Sequence, residues 1–124
     1  MRPRHATLTP QELEIMKLVW ARDSATVRDV YEALLERRKI AYTTVMTMMN
    51  VLETKGYVTK EKSARAFRYR ATQAEQTVVM SMVREFVNRV FDGAARPLLV
   101  HLSKDRKLTA RERQHLRRLI EEAE

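Results

Sequence analysis

Residues 41–71 read AYTTVMTMMNVLETKGYVTKEKSARAFRYRA. Val45, Met48, Met49 and Leu52 recur at the i, i+3, i+4, i+7 spacing of a helix with one buried stripe. The spacing predicts a helix over 42–55. Thr43, Thr47, Asn50 and Thr54 lie on its opposite side, with Thr44 and Met46 at the flanks. Gly56 is placed to end the helix in the left-handed conformation. Residues 57–62 and 66–71 then alternate as half-buried strands do. Phe67 and Tyr69 face one way, Arg68 and Arg70 the other, and Ser63, Ala64 and Arg65 form the tip. This is the pattern of a recognition helix followed by a basic β-hairpin wing.

The outer face of that helix is short, polar and uncharged. A generic surface helix favours Glu, Lys, Gln and Arg, whereas Thr and Asn are weak helix formers. Something other than helix stability has selected them. The major groove of duplex DNA admits such a helix. Thr hydroxyls reach bases or phosphates, Asn pairs with adenine, and Thr or Met methyls meet a thymine methyl. The expected DNA-reading residues are Thr43, Thr44, Met46, Thr47 and Asn50. Lys60, Lys62, Arg65, Arg68 and Arg70 are expected to neutralise phosphates, or one of them to enter the minor groove.

Working outward, four S/T-x-x-D/E boxes punctuate the chain: Thr9 with Glu12, Thr26 with Asp29, Thr72 with Glu75, and Thr109 with Glu112. In such a box the Thr oxygen accepts from a first-turn N–H and the carboxylate accepts from the N–H of the cap residue. Pro10 suits the first helical position after Thr9. Leu8 and Leu13 are spaced for a hydrophobic staple. Helix 1 is expected over 10–22, burying Leu13, Met16, Val19 and Trp20. Helix 2 is expected over 27–38, burying Val27, Val30, Tyr31 and Leu34, with Arg37, Arg38 and Lys39 at its negative pole. A very short strand is expected at 24–25.

Beyond the hairpin, a fourth helix is expected from just after Thr72 to Phe91. Its apolar face holds Val79, Met82, Val83, Phe86, Val87 and Val90, and Gly93 breaks it. A short helix over 95–102 carries Leu98, Leu99 and Leu102, with Pro97 confined to its first turn. A last helix over 110–122 turns Leu116, Leu119 and Ile120 inward. About 50 residues with so much apolar face do not close a core alone. The surplus is expected to bury against a second copy, and a twofold dimer then offers two recognition helices to a palindromic site.

The expected architecture is mostly α with a small β-hairpin. A winged helix-turn-helix DNA-binding domain occupies 1–72 and a helical dimerisation domain 73–124. Charge follows the same division. Residues 1–72 carry 14 Lys/Arg against 8 Asp/Glu, and residues 73–124 carry 10 against 8, within a net charge of +8. The excess basicity therefore sits with the unit expected to meet a polyanion. With no cysteine in the chain, disulfides, thiolate metal sites and cysteine nucleophiles are excluded. No apolar run is long enough to span a bilayer, and residues 1–10 lack a signal-peptide core, so no membrane insertion and a cytoplasmic location are expected.

Neither the methionines nor the histidines point to a metal. Met46, Met48, Met49, Met80 and Met82 cluster, but Met more often fills core space, with Met46 the expected exposed exception. His5, His101 and His115 show no close ligand spacing. There is no glycine-rich phosphate loop and no nucleophile–base pattern, so neither enzyme chemistry nor a cofactor is expected.

Three stretches carry a family likeness. LTPQELEIMKLVW at 8–20, TVRDVYEALLERRKIAYTTVMTMMNVLETKGYV at 26–58 and AFRYRA at 66–71 closely resemble the penicillinase and methicillin-resistance repressors, the BlaI/MecI family. The resemblance extends from about Leu8 to Ile120. It implies a homodimeric winged-helix repressor on a dyad operator, blocking transcription of β-lactamase or related genes. By position, Thr44 and Thr47 match the family's DNA-facing residues, and Met46 stands where some members carry a basic or polar side chain. In the resistance repressors a membrane sensor detects β-lactam and the repressor is then cleaved in its C-terminal domain. The cleaved Asn–Phe bond aligns near His101–Leu102, so a sensor-activated protease is an implied partner and those two residues its candidate site. The family's copper-responsive branch carries C-terminal cysteines, which this chain lacks.

Two other functions fit the same fold. One is a protein-binding winged helix without specific DNA readout, and the other a regulator that binds a small effector directly. Five cations beside a helix entry free of acid favour DNA over the first.

Overall fold

The structure is a computed structural model that describes residues 7–122. The elements run α1 (Pro10–Arg22), α2 (Val27–Leu35), α3 (Tyr42–Lys55), β1 (Val58–Ser63), β2 (Ala66–Ala71), α4 (Glu75–Phe91), α5 (Arg96–Leu102) and α6 (Ala110–Glu122). They form two compact units that divide between Val78 and Val79, inside α4. His5 lies outside the described residues.

The first unit is built on well-signalled helix ends. Thr9 and Thr26 each cap their helix reciprocally with Glu12 and Asp29. At the end of α3, Gly56 adopts φ 89°, its N–H reaching the Glu53 carbonyl while that of Tyr57 reaches the Leu52 carbonyl. Both bonds together make a Schellman stop, which only a residue free of Cβ adopts without strain. The core joins Leu8, Ile15, Met16, Leu18 and Val19 to Val30 and Leu34, to Val45, Met49 and Leu52, and to Val58 and Tyr69. Val78 in the first turn of α4 also belongs to it.

The hairpin is antiparallel, from Val58 opposite Ala71 to Ser63 opposite Ala66. Its third partner is a single bridge, Ala25 with Tyr69, closed by backbone hydrogen bonds of 3.0 and 2.8 Å. The short strand expected at 24–25 is thus one paired residue.

Several details differ from expectation. Helix α2 ends at Leu35, and Arg37 and Arg38 lie beyond it, both holding Glu14 of α1 at 3.0 and 2.8 Å. Thr72 caps nothing: its hydroxyl donates to the carbonyls of Gly56 and Tyr57, and α4 begins three residues later at Glu75. The hairpin tip is two residues rather than three, because Ser63 pairs with Ala66. Ala64 carries the positive φ of 52° that a tight hairpin turn requires at this place. Leu13, Trp20, Val27 and Tyr31 are half-buried, and Ile15 and Leu18 take the deeper positions in α1.

In the second unit, α6 has its expected capping box, Thr109 with Glu112. Arg96 in α5 donates to the Ile120 carbonyl of α6, and Arg113 donates to the carbonyls of Ser103 and Asp105. Phe86 and Phe91 meet edge to face at 6.0 Å. From Val79 to Glu122 no described residue is buried. Leu116 and Ile120 are half-covered and Leu119 is exposed, so the inward turn expected of them is incomplete within one chain.

Candidate nucleic-acid interface

Helix α3 separates its two jobs by face. Val45, Met49 and Leu52 are fully buried, while Thr43, Thr44, Met46, Thr47 and Asn50 are all exposed. Val51 is exposed as well, four residues from Thr47 on the outer side, and it belongs with this surface although the sequence reading passed over it. The first turn has no acidic residue, and Ala41 at the N-cap supplies no side-chain hydrogen bond. The Thr44 N–H bonds the Ala41 carbonyl, and no side chain caps or neutralises the positive end of the helix dipole there.

Two anchors hold this helix. At its start, Tyr42 meets Tyr31 of α2 edge to face with ring centroids 5.2 Å apart. At its end, the Lys55 ammonium lies 2.7 Å from Glu12 and donates to the Thr7 carbonyl. Burial alone would raise the Glu12 pKa. The Lys55 hydrogen bond and charge, with the Thr9 N–H and hydroxyl, outweigh burial and hold that carboxyl below its ordinary range. Lys55 is thereby committed to the fold.

The wing cations do not share one face. Directly opposed residues of an antiparallel pair lie on the same side of the sheet. Lys60 opposite Tyr69 and Lys62 opposite Phe67 take one side; Glu61 opposite Arg68 and Thr59 opposite Arg70 take the other. Arg65 sits in the tip. Tyr69 enters the core, and burial pushes its phenol pKa up. Phe67, on the same side as Tyr69 as expected, is 44% exposed because the hairpin extends past the core. The Lys60 ammonium sits 4.7 Å from its ring centroid and 3.5 Å from Glu53 of α3.

On the other side, the Arg68 Nε donates to the Ser24 hydroxyl at 3.0 Å, and its Nη2 lies 3.5 Å from the Ser24 carbonyl and 3.9 Å from Asp29. Arg70 lies 3.8 Å from Asp23. Among the described residues, Lys62 and Arg65 have no carboxylate within ion-pair distance.

An open depression of about 270 Å³ is lined by Val19, Trp20, Asp23 and residues 71–74. Its neighbours are a structural hydrogen bond from Trp20 and the hairpin exit. Among the described residues no cluster of His, Asp or Glu has the arrangement of a metal site, and no helix is long and apolar enough to cross a membrane. His101 and Leu102 are the last two residues of α5, and both are exposed.

Comparison with known proteins places this geometry. The profile of the penicillinase repressor family matches residues 8–122. A transcriptional regulator BlaI of Mycobacterium tuberculosis is 35% identical over 115 residues, covering 91% of this chain and 82% of that protein. The methicillin resistance regulatory protein MecI of Mammaliicoccus sciuri is 22% identical, covering 91% and 92%. Among solved structures, the DNA-binding domain of the repressor BlaI aligns with TM-score 0.54 and 28% identity, over 60% of this chain and 90% of that one. Bacillus licheniformis BlaI in complex with the blaP half-operator aligns with TM-score 0.51 and 28% identity, over 61% and 92%. The chain belongs to the penicillinase repressor family, and its fold is a winged helix with a helical C-terminal extension.

Proposed function

We propose that this member of the penicillinase repressor family is a homodimeric transcriptional repressor. Its first 72 residues read operator DNA and residues 73–124 hold two copies together. The observation that carries the reading is the division of labour in α3. An acid-free outer face of Thr43, Thr44, Met46, Thr47 and Asn50 stands exposed beside a basic wing. Helix α3 enters the major groove, the positive end of its dipole, uncapped by any side chain, approaches phosphate, and the wing tracks the backbone. The likeness to BlaI with its half-operator supports this arrangement.

The dimer follows from the second unit. Val83, Phe86, Val90, Leu102 and Leu119 are exposed apolar side chains in a unit none of whose described residues is fully buried in a single chain. Covering them with a second copy pairs two α3 helices on a site with dyad symmetry. β-Lactamase or related genes are the proposed targets. Relief of repression by a sensor-activated protease at His101–Leu102 requires the exposed end of α5 to unwind, because a helical bond does not fit an extended protease cleft.

Selection of bound sites from a random duplex pool at physiological salt tests the reading. An enriched inverted repeat is expected. Retention without any enriched sequence overturns the repressor assignment.

A further inference from the structure

The five wing cations divide into two classes by their surroundings, and the division assigns them different work. Arg68 and Arg70 lie on the side of the hairpin that also carries Glu61, facing Asp29 of α2 and Asp23 in the link between α1 and α2. Asp29 and Asp23 within 4 Å, with Glu61 on the same side, weaken the positive field a phosphate would feel there. Arg68 is bound as well as neutralised: Nε meets the Ser24 hydroxyl at 3.0 Å, in the link between α1 and α2, where the hairpin is otherwise joined by the single Ala25–Tyr69 bridge. Lys60 is similarly engaged, with Glu53 and the Phe67 ring. Lys62 and Arg65 remain, at the free end of the wing, without a carboxylate neighbour among the described residues.

We propose that Arg68 is a positioning residue that pins the wing to Ser24, and that Lys62 and Arg65 make the wing's phosphate contacts. This rests on the DNA-binding reading above. Pinning matters because Arg68 lies just beyond the buried Tyr69, where the ribbon leaves the core and Phe67 is already exposed. A wing that swings cannot present Lys62 and Arg65 at a fixed distance from α3.

The salt dependence of operator binding separates the two roles. Each phosphate contact contributes about 0.9 to the slope of log K against log salt. With the full chain and its selected operator, Lys62→Gln or Arg65→Gln is expected to lower the slope by about 1 per bound protomer. Arg68→Gln is expected to weaken binding several-fold with the slope unchanged. Ser24→Ala leaves the guanidinium in place and removes only the hydroxyl that accepts from Nε, the shortest of its contacts. It is expected to weaken binding to a similar degree, and the double variant is expected to be no worse than either single one. Thermal melts of each variant confirm folding. The proposal is overturned if Arg68→Gln lowers the slope as Lys62→Gln does, or if Ser24→Ala binds like the parent chain. Failure of the DNA-binding reading looks different: the parent chain itself shows no operator preference.

Discussion

The indole Nε1 of Trp20 donates a 2.9 Å hydrogen bond to the carbonyl of Gln73, tying the last turns of α1 to the segment that leaves the wing. Thr72 braces the same segment against Gly56 and Tyr57, and Lys17 pairs with Glu75 at 3.0 Å. Three side chains thus fix residues 72–75, from the hairpin exit to the first residue of α4. Trp20 is the chain's single tryptophan, so its fluorescence reports on this junction. Trp20→Phe removes the bond while keeping most of the apolar contact. A loss of about 1 kcal/mol is expected in urea unfolding of the first unit.

Thr47→Ala combined with Asn50→Ala removes two polar groups from the outer face of α3 and nothing from its core. Discrimination between operator and random duplex is expected to fall by about 1–3 kcal/mol, the value of one good base contact. Far-ultraviolet circular dichroism is expected to be unchanged. Intact discrimination in a gel-shift titration would place base reading elsewhere.

Glu12 predicts an acid-sensitive fold. Its pKa in the folded chain lies below the ordinary 4.5, so the stability it contributes is present above that value. It is lost as pH falls through the depressed folded pKa. Glu14 acts in the same direction, held down first by Arg38. Glu12→Gln strands Lys55 and is expected to cost about 1–3 kcal/mol at neutral pH. It also flattens the decline in urea midpoint below pH 5. An equally steep decline in the variant would show that other carboxyls carry it.

Ala64 holds φ 52° at the wing tip, where a Cβ is strained. Ala64→Gly relieves this and is expected to stabilise the first unit by about 1 kcal/mol. Chemical denaturation measures the gain; a loss of stability would mean the tip adopts another turn.

Phe86 is 41% exposed on α4, next to Val83 and Val90 on the uncovered apolar side. Phe86→Asp places a charge there. Light scattering is expected to show half the parent mass, and operator affinity is expected to fall. A parent-sized species would move the interface to another surface.

Much of the first unit was legible because its signals are local. The α3 stripe, the Gly56 stop and two capping boxes each depend on residues within one or two turns. Thr72 misled because a Thr-x-x-Glu spacing does not reveal whether the hydroxyl accepts from the next turn or donates to carbonyls fifteen and sixteen residues back. Alternation assigned Phe67 and Tyr69 to one side of the strand, as the register has them, but not how far the core extends beneath that side. The wing cations were legible as charges only. Their sorting depends on Ser24, Asp23 and Asp29, which are brought near by the Ala25–Tyr69 bridge and not by sequence spacing.

The faces of α3 have an evolutionary consequence. Val45, Met49 and Leu52 are wholly enclosed, and the outward residues share none of that duty. If those outward residues read DNA as proposed, single substitutions there redirect the helix to a new target without passing through an unfolded ancestor. Relatives can diverge in what they regulate while inheriting one scaffold.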